Sequence, residues 1–221
     1  MRRIDRPSPN CDDRPAGQAV DMLVLHYTDM DSAEASAARL CDPAAQVSAH
    51  YLIDEDGTVF ALVPEGKRAW HAGVSFWRGE TAINARSIGI ELQNPGHSLG
   101  YRPFPEAQVA ALIALCQGIL ACHPIPPRNV VGHSDVAPDR KIDPGELFPW
   151  AGLAAAGIGI WPEPVAAKAA DLAPLLAEIG YNPAAERAVA AFQRRFRTAR
   201  TDNVADDETA SLAAGFLHSC S

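Results

Sequence analysis

Short apolar runs bounded by polar turns recur along the first part of the chain. Residues 20–28 form a nearly continuous apolar run, which is typical of a buried strand. Residues 49–54 and 58–63 flank an Asp-Gly turn, and this arrangement predicts a β-hairpin. Residues 87–93 alternate between apolar and polar positions and predict another strand, while residues 129–132 predict a brief one.

Two longer segments between these strands carry helical signals. Residues 32–40 are rich in alanine and begin at Ser32, whose hydroxyl can cap the first helical turn. Residues 105–122 begin at a proline and repeat apolar side chains at helical spacing. Because strands and helices interleave along the sequence, we predict an α/β domain.

The composition changes at both ends of this domain. Residues 1–19 are polar and rich in Pro and Asp, so we expect an irregular arm. After Trp150, glycines lead into a Trp-Pro-Glu-Pro stretch at residues 161–164, which indicates a linker. Three short helices are predicted beyond it, at residues 167–179, 184–197 and 207–218. We therefore expect one domain over residues 1–160 and a small three-helix domain over residues 161–221.

The charge and apolar content exclude several classes of protein. The 221 residues carry a net charge of -8, so we expect no nucleic-acid partner. No window approaches the roughly 20 apolar residues of a transmembrane helix, and no apolar segment follows the basic start as in a signal peptide. The five cysteines form no CxxC pair and predict reduced structural thiols; we expect Cys116 and Cys122 in the core. A cytoplasmic monomer is the resulting expectation.

One loop-like segment concentrates the candidate chemistry. His133, Lys141 and Asp143 lie within eleven positions, in a stretch too rich in Pro, Gly and Asp to be helical. His26 ends the first apolar run and offers a second imidazole. Two histidines and one aspartate supply the three protein ligands of a catalytic zinc site with one open position. Taken singly, each also has a structural explanation, as a buried histidine or a turn aspartate.

Five separated segments, in a fixed order, carry a family resemblance. They are residues 25–28, 47–53, 69–73, 84–92 and 132–145. Together they cover roughly residues 18–155 and resemble the zinc-dependent N-acetylmuramoyl-L-alanine amidases of the type 2 family. That family shares its fold with the peptidoglycan recognition proteins, so the resemblance implies a mixed central sheet flanked by helices.

The resemblance also implies a role for each candidate residue. His26, His133 and Asp143 match the zinc ligands. Glu91 matches the carboxylate that handles the proton of the attacking water, and Lys141 matches the cation that stabilises the amide oxyanion. Bound zinc can lower the pKa of water from about 15.7 to near 7, so these residue types suit hydrolysis at neutral pH. Without the resemblance, Glu91 could be a strand-end charge and Lys141 a solvated loop charge.

Other positions carry weaker expectations. His71, Trp70 and Asn94 are candidate substrate contacts. Some phage-type relatives have a cysteine as third ligand and a tyrosine as second catalytic group. Here Asp143 and Ala49 occupy those positions, which resembles the branch that acts on muropeptides and includes periplasmic and recycling enzymes.

The last third of the chain resembles the small three-helix peptidoglycan-binding domain. Ala188, Phe192 and Phe196 repeat at helical spacing and predict a core stripe. A generic helical cap without glycan affinity is the alternative. Four arginines are expected on a solvated face that could meet anionic peptidoglycan: Arg194, Arg195, Arg197 and Arg200.

The leading functional hypothesis is a zinc hydrolase. Its substrate would be the amide between N-acetylmuramic acid, or its 1,6-anhydro form, and L-alanine. A non-catalytic peptidoglycan-recognition module and a non-haem iron oxygenase are the alternatives, since two histidines and one carboxylate also suit Fe(II). The wall-binding-like domain favours the cell envelope, whereas the cysteines and the missing signal favour the cytoplasm.

Overall fold

A six-stranded sheet runs through the centre of the protein, in a computed structural model that describes residues 2–220. A second sheet has two strands. The described strands, in chain order, are β1 Arg3–Asp5, β2 Cys11–Asp13, β3 Met22–Tyr27, β4 Tyr51–Ile53, β5 Val59–Ala61, β6 Lys67–Ala69, β7 Ser87–Leu92 and β8 Val130–Gly132.

The central sheet is mixed. Its strand order is β1-β5-β4-β7-β3-β8, and only the β4–β5 hairpin pairs antiparallel. The small sheet pairs β2 with β6 antiparallel. In the parallel β3–β7 pair, His26 lies opposite Glu91. These two candidate residues are 65 positions apart in the sequence, yet they lie side by side at the same end of the sheet.

Helices pack against the central sheet and make up much of the chain that follows the last strand, β8. The described α-helices, in chain order, are α1 Ala33–Leu40, α2 Ile83–Arg86, α3 Gly96–Leu99, α4 Glu106–Cys122, α5 His133–Val136, α6 Trp150–Ala155, α7 Leu172–Ile179, α8 Ala188–Phe196 and α9 Asp207–His218. Short 3-10 turns occur at Pro43–Ala45, Pro127–Asn129 and Ala169–Asp171. Ser32 caps α1 as predicted, because its hydroxyl accepts a hydrogen bond from the Ala35 N–H. None of the described helices is long and apolar enough to span a membrane.

Strand β3 is buried on both faces. Leu23 and Leu25 belong to the apolar cluster formed with α4, whereas Met22 and Val24 belong to the cluster formed with α7, α8 and α9. This explains why residues 20–28 read as a continuous apolar run rather than an alternating one. Removing such a strand from water stabilises the fold by about 1.5–3 kcal/mol per large apolar side chain.

The predicted α/β class with a mixed sheet is confirmed. The predicted irregular arm at residues 1–19 is wrong in part, because β1 pairs with β5 and β2 pairs with β6. Cys122 is exposed rather than buried, since it ends α4 at the surface, whereas Cys116 is in the core as expected. Met1 and Ser221, the outer ends of the two predicted domains, lie outside the described residues.

The C-terminal helices, defined as α7, α8 and α9, pack directly on the central sheet. Ala188, Phe192 and Phe196 are all buried and form the predicted core stripe. The expectation of a solvated arginine face is wrong for Arg195, which is 3% exposed. Arg197 pairs with Asp206 and Glu208, so much of the remaining basic charge is neutralised locally.

Candidate metal centre and active site

Three candidate ligands converge at one edge of the central sheet. His26 comes from the end of β3, His133 from the first position of α5 after β8, and Asp143 from the loop that follows. His26 Nδ1 lies 3.0 Å from His133 Nδ1 and 3.1 Å from Asp143 Oδ2. His133 Nδ1 also lies 3.1 Å from Asp143 Oδ2, so the donor atoms form a nearly equilateral triangle. All three residues are buried.

A chain of hydrogen bonds behind His26 fixes its tautomer. The Ser87 hydroxyl donates to the Ile83 carbonyl at 2.7 Å, so its oxygen is free to accept from His71 Nε2 at 3.1 Å. His71 Nδ1 is then the acceptor for the Nε2–H of His26, at 3.1 Å. His26 therefore carries its proton on Nε2, and its Nδ1 lone pair points into the triangle.

His133 is oriented in the same way by the backbone. Its Nε2 lies 3.1 Å from the Ala72 carbonyl oxygen, which can only accept. The proton of His133 is therefore on Nε2, and its Nδ1 also points into the triangle. A ligand histidine that donates its second ring nitrogen to a carbonyl is a recurring feature of protein metal sites.

The donor set fits a tetrahedral metal ion. With ligand bonds of about 2.0–2.1 Å, adjacent donors of a tetrahedral zinc site lie about 3.3 Å apart, close to the triangle formed by His26, His133 and Asp143. Two unprotonated nitrogens and a carboxylate oxygen that face one another repel unless a cation lies between them. Three protein ligands leave one position of a tetrahedral ion open, and the cavity lined by His133 and Asp143 offers space for it.

The local electrostatics also favour the metal-binding protonation states. Burial, with His133 nearby, lowers the pKa of His26 to about 4, so the imidazole is neutral at pH 7. Burial raises the pKa of Asp143, whereas a proton on His133 or His26 would lower it, and the net shift is below its usual range. Neutral imidazoles and an ionised carboxylate are the forms that bind divalent cations.

Glu91 faces the triangle from the adjacent strand. Its Oε2 atom is enclosed and has no hydrogen-bond partner among the described residues. Burial, followed by repulsion from Asp143, raises the pKa of Glu91 well above its ordinary value, although Lys141 opposes that shift. A desolvated carboxyl with a raised pKa is suited to taking up and giving back a proton near neutral pH.

Lys141 completes the group at the mouth of the site. Glu91, His133, Lys141 and Asp143 all line one cavity of about 350 Å³. Within residues 2–220, the Lys141 ammonium has no hydrogen-bond or ion-pair partner, whereas its backbone N–H is fixed by the Ala137 carbonyl at 2.9 Å. The cation is therefore positioned by its loop yet available to a bound molecule.

The three candidate substrate contacts have different environments. Trp70 lines the cavity and is half-buried. His71 also borders it, but both of its ring nitrogens are engaged by His26 and Ser87. Asn94 is fully buried and is not among the residues that line the cavity; its amide donates to the Arg102 carbonyl and accepts from the Gly96 N–H. The structure thus brings Trp70 and His71 to the site and does not bring Asn94.

Sequence reasoning missed two parts of the site. His97 lines the cavity, with Nδ1 2.9 Å from the Tyr27 hydroxyl and its ring stacked on Tyr101 at 4.3 Å. Ser87 orients His71, and a Cβ on Gly89 would lie 2.4 Å from the His71 ring. The glycine within an apolar strand was the available signal, because such a position often marks the close approach of another group.

Comparisons with known proteins agree with this geometry. The family described as N-acetylmuramoyl-L-alanine amidase (Amidase_2) matches residues 16–146. The N-acetylmuramoyl-L-alanine amidase AmiD of Escherichia coli (strain K12) is 40% identical, over 97% of this chain and 90% of that protein. The 1,6-anhydro-N-acetylmuramyl-L-alanine amidase AmpD of the same organism is 40% identical, over 68% of this chain and 88% of that protein.

A solved structure of a relative extends the likeness to three dimensions. The E. coli AmiD amidase, in complex with the substrate anhydro-N-acetylmuramic acid-L-Ala-D-gamma-Glu-L-Lys, superposes with a TM-score of 0.83 at 40% identity. The superposition covers 92% of this chain and 91% of that one, so it extends beyond residues 16–146 into the C-terminal segment. By the match of its catalytic segment and by these relatives, the chain belongs to the N-acetylmuramoyl-L-alanine amidase family.

Proposed function

We propose that the protein is a zinc-dependent N-acetylmuramoyl-L-alanine amidase. It hydrolyses the amide between the lactyl group of N-acetylmuramic acid, or of its 1,6-anhydro form, and L-alanine. The observation that carries the proposal is the buried triangle of His26, His133 and Asp143, with Glu91 and Lys141 opening into the same cavity.

His26, His133 and Asp143 would hold the zinc ion. When bound, the ion supplies Lewis acidity, which makes water a nucleophile at neutral pH and polarises the amide carbonyl. The chain contributes the orientation of its ligands. The hydrogen bonds from His26 to His71 and from His133 to the Ala72 carbonyl keep both Nδ1 atoms aimed at one point.

Glu91 moves the proton. Its carboxylate accepts a proton from the attacking water and delivers it to the departing amide nitrogen of L-alanine. The raised pKa of Glu91 supports this assignment, because the carboxyl then takes up a proton more readily than an ordinary glutamate does. The parallel register of β3 and β7 keeps Glu91 beside the ligand His26.

Lys141 stabilises charge on the carbonyl oxygen. As water adds to the amide carbon, negative charge develops on that oxygen, and a preorganised donor there contributes about 3 kcal/mol. The Lys141 ammonium is available for this role because no described side chain binds it. Lys141 lies in the loop that joins α5, which begins at His133, to Asp143.

A non-catalytic recognition module is the weaker alternative. Such a module needs a groove but has no need of a complete ligand triangle, and His26, His133 and Asp143 are all present and converge. An iron oxygenase has the same ligand types, but it does not explain the half-buried Glu91, whose enclosed Oε2 has no described partner, or the unpaired Lys141 ammonium in the same cavity.

The test combines metal analysis with product analysis. Purified protein is assayed for bound zinc, then incubated separately with anhydro-N-acetylmuramyl tripeptide and with purified sacculi. Release of a peptide that begins with L-alanine, abolished by a chelator and restored by Zn²⁺, is the expected result. A metal-free protein that binds sacculi without cleaving them would refute the proposal. The ratio of the two rates identifies the preferred form of the substrate.

The compartment is proposed on the chemistry of the thiols. All five cysteines are free, which suits a reducing compartment, so we propose the cytoplasm. Fractionation of native cells with an antibody to the protein tests this. Recovery in the envelope fraction would refute it and would favour a role on intact wall.

A further inference from the structure

The C-terminal segment binds the carboxylate of Asp135, a residue of α5 that lies two positions after the proposed ligand His133. Asp135 is 1% exposed, and its two partners from beyond residue 161, Arg195 and Tyr181, are 3% and 2% exposed. Arg195 Nη1 donates to Asp135 Oδ2 at 2.8 Å, and the Tyr181 hydroxyl donates to Oδ1 at 2.6 Å. Both oxygens of Asp135 are therefore bound by side chains of the C-terminal segment.

Arg195 is itself fixed in place on the catalytic domain. Its Nη2 donates to the Val130 carbonyl at 2.9 Å, and its guanidinium lies 4.0 Å above the Trp150 ring. A planar guanidinium that binds two acceptors and stacks on an aromatic ring has little freedom to move. Arg195 thus connects β8, α5 and α6 from a single position in α8.

Asp135 acts on the segment that carries two of the proposed ligands. Its Oδ2 also accepts from the Gly132 N–H at 2.8 Å, which fixes the turn immediately before His133. The Ser134 N–H donates to the Asp143 carbonyl at 2.9 Å, so the second ligand is tied to the same turn. The position of α5 therefore sets the positions of both His133 and Asp143.

We infer that Arg195 and Tyr181 are positioning residues for the metal centre, and that the C-terminal helices maintain its ligand geometry through Asp135. The inference rests on the proposed function, because it concerns the affinity of the His26, His133 and Asp143 triangle. A second contact supports it: the Arg187 N–H donates to Asp139 Oδ1 at 2.9 Å, within the loop between the two ligands.

The hydroxyl of Tyr181 offers the most selective perturbation. Burial and the neighbouring Asp135 raise the pKa of Tyr181 well above its ordinary value, so the hydroxyl stays a donor. The ring packs edge-on against Trp77 and Phe192, and these contacts do not need the oxygen. Tyr181→Phe thus removes one hydrogen bond to Asp135 and leaves the apolar packing in place.

The experiment measures zinc affinity in full-length variants by competition with a chromophoric chelator. Loss of an outer-shell partner commonly weakens metal binding about 10–100-fold. We expect about tenfold for Tyr181→Phe and a larger loss, up to about 100-fold, for Arg195→Met. Substitution with Co²⁺ gives a second readout, because its visible absorption band reports ligand geometry and should shift in both variants.

A matched control separates positioning from general destabilisation. Gln193 is fully buried in α8, and its side chain binds the Val204 carbonyl and Thr209, within the C-terminal segment. Gln193→Leu should lower the thermal midpoint while the zinc affinity and the Co²⁺ band stay at their wild-type values. Thermal midpoints of all variants are recorded, so that affinities are compared only among folded proteins.

The outcomes are distinct. Weaker zinc binding in Tyr181→Phe with an unchanged Gln193→Leu supports the inference, including the case in which Arg195→Met does not fold. Wild-type affinity and an unshifted Co²⁺ band in Tyr181→Phe overturn it, as does an equal loss in Gln193→Leu. A wild-type chain that binds no zinc contradicts the proposed metal centre itself, and this inference with it.

Discussion

Replacing Ser87 with alanine tests whether the hydrogen-bond chain behind His26 sets its affinity for metal. The Ser87 hydroxyl is the acceptor for His71 Nε2 at 3.1 Å, and Ser87 is fully buried. Without that acceptor, His71 has a buried N–H with no partner, which costs about 1–3 kcal/mol. His71 can avoid this cost by moving its proton to Nδ1, but it then no longer accepts from His26.

The expected size of the loss is the same whether His71 keeps its tautomer or changes it, but the property that is lost differs. A loss of about 1–3 kcal/mol corresponds to roughly 5–150-fold in an equilibrium constant, since 1.4 kcal/mol is tenfold. If His71 keeps its tautomer, the loss falls on protein stability; if it changes tautomer, the loss falls on zinc affinity. We expect the second result, with zinc bound about 10–100-fold more weakly, because the metal-free protein tolerates either ring state.

Chelator competition measures zinc affinity, and urea titration of the metal-free protein measures the free energy of unfolding. Ser8→Ala is the matched control, because Ser8 is also buried and its hydroxyl donates to the Leu40 carbonyl at 2.5 Å, with no hydrogen bond to His26, His71 or the other proposed ligands. It should reduce stability and leave zinc affinity unchanged. Wild-type zinc affinity in Ser87→Ala would refute the reasoning that this chain of hydrogen bonds orients His26.

Three further outcomes are expected. Glu91→Gln should retain zinc and lose about 10²–10⁴-fold in kcat, since it removes the proton acceptor; unchanged turnover would exclude Glu91 from the reaction. Lys141→Met should lower kcat about 100-fold with little change in metal content, and a change confined to KM would contradict its role at the oxyanion. Burial lowers the pKa of His50 to about 4 from 6.5, so the unfolded state binds more protons between these values and stability should fall as pH drops through them. The loss reaches about 3 kcal/mol at pH 4. Urea titration should show a smaller loss of stability in His50→Gln. An identical pH dependence of stability in the variant and the wild type would refute the role given to His50.

The local pattern of the sequence was sufficient for the elements whose partners are close in the chain. The hairpin, α1 with its Ser32 cap and α4 follow from turn residues and apolar spacing. The strands β1 and β2 could not be predicted, because their residues are polar and become strands only by pairing with β5 and β6.

Long-range contacts also limit how much of the site can be predicted from the sequence. The motifs predicted His26, His133 and Asp143 as one group, and the structure brings them together. The burial of Arg195 was missed, because its partner Asp135 is 60 positions away and four arginines in one segment suggest a solvated face. Asn94 was placed in the substrate groove on proximity to Glu91 alone, whereas its amide is used to shape its own loop.

The two-sided burial of β3 limits how this protein can be divided in evolution or in the laboratory. Met22, Val24 and Val131 lie against the C-terminal helices, so the catalytic sheet has an apolar face that is complete only with its partner. Removing the C-terminal helices would expose this apolar face to water. We therefore expect the isolated catalytic segment to aggregate unless the apolar residues of that face are replaced by polar ones.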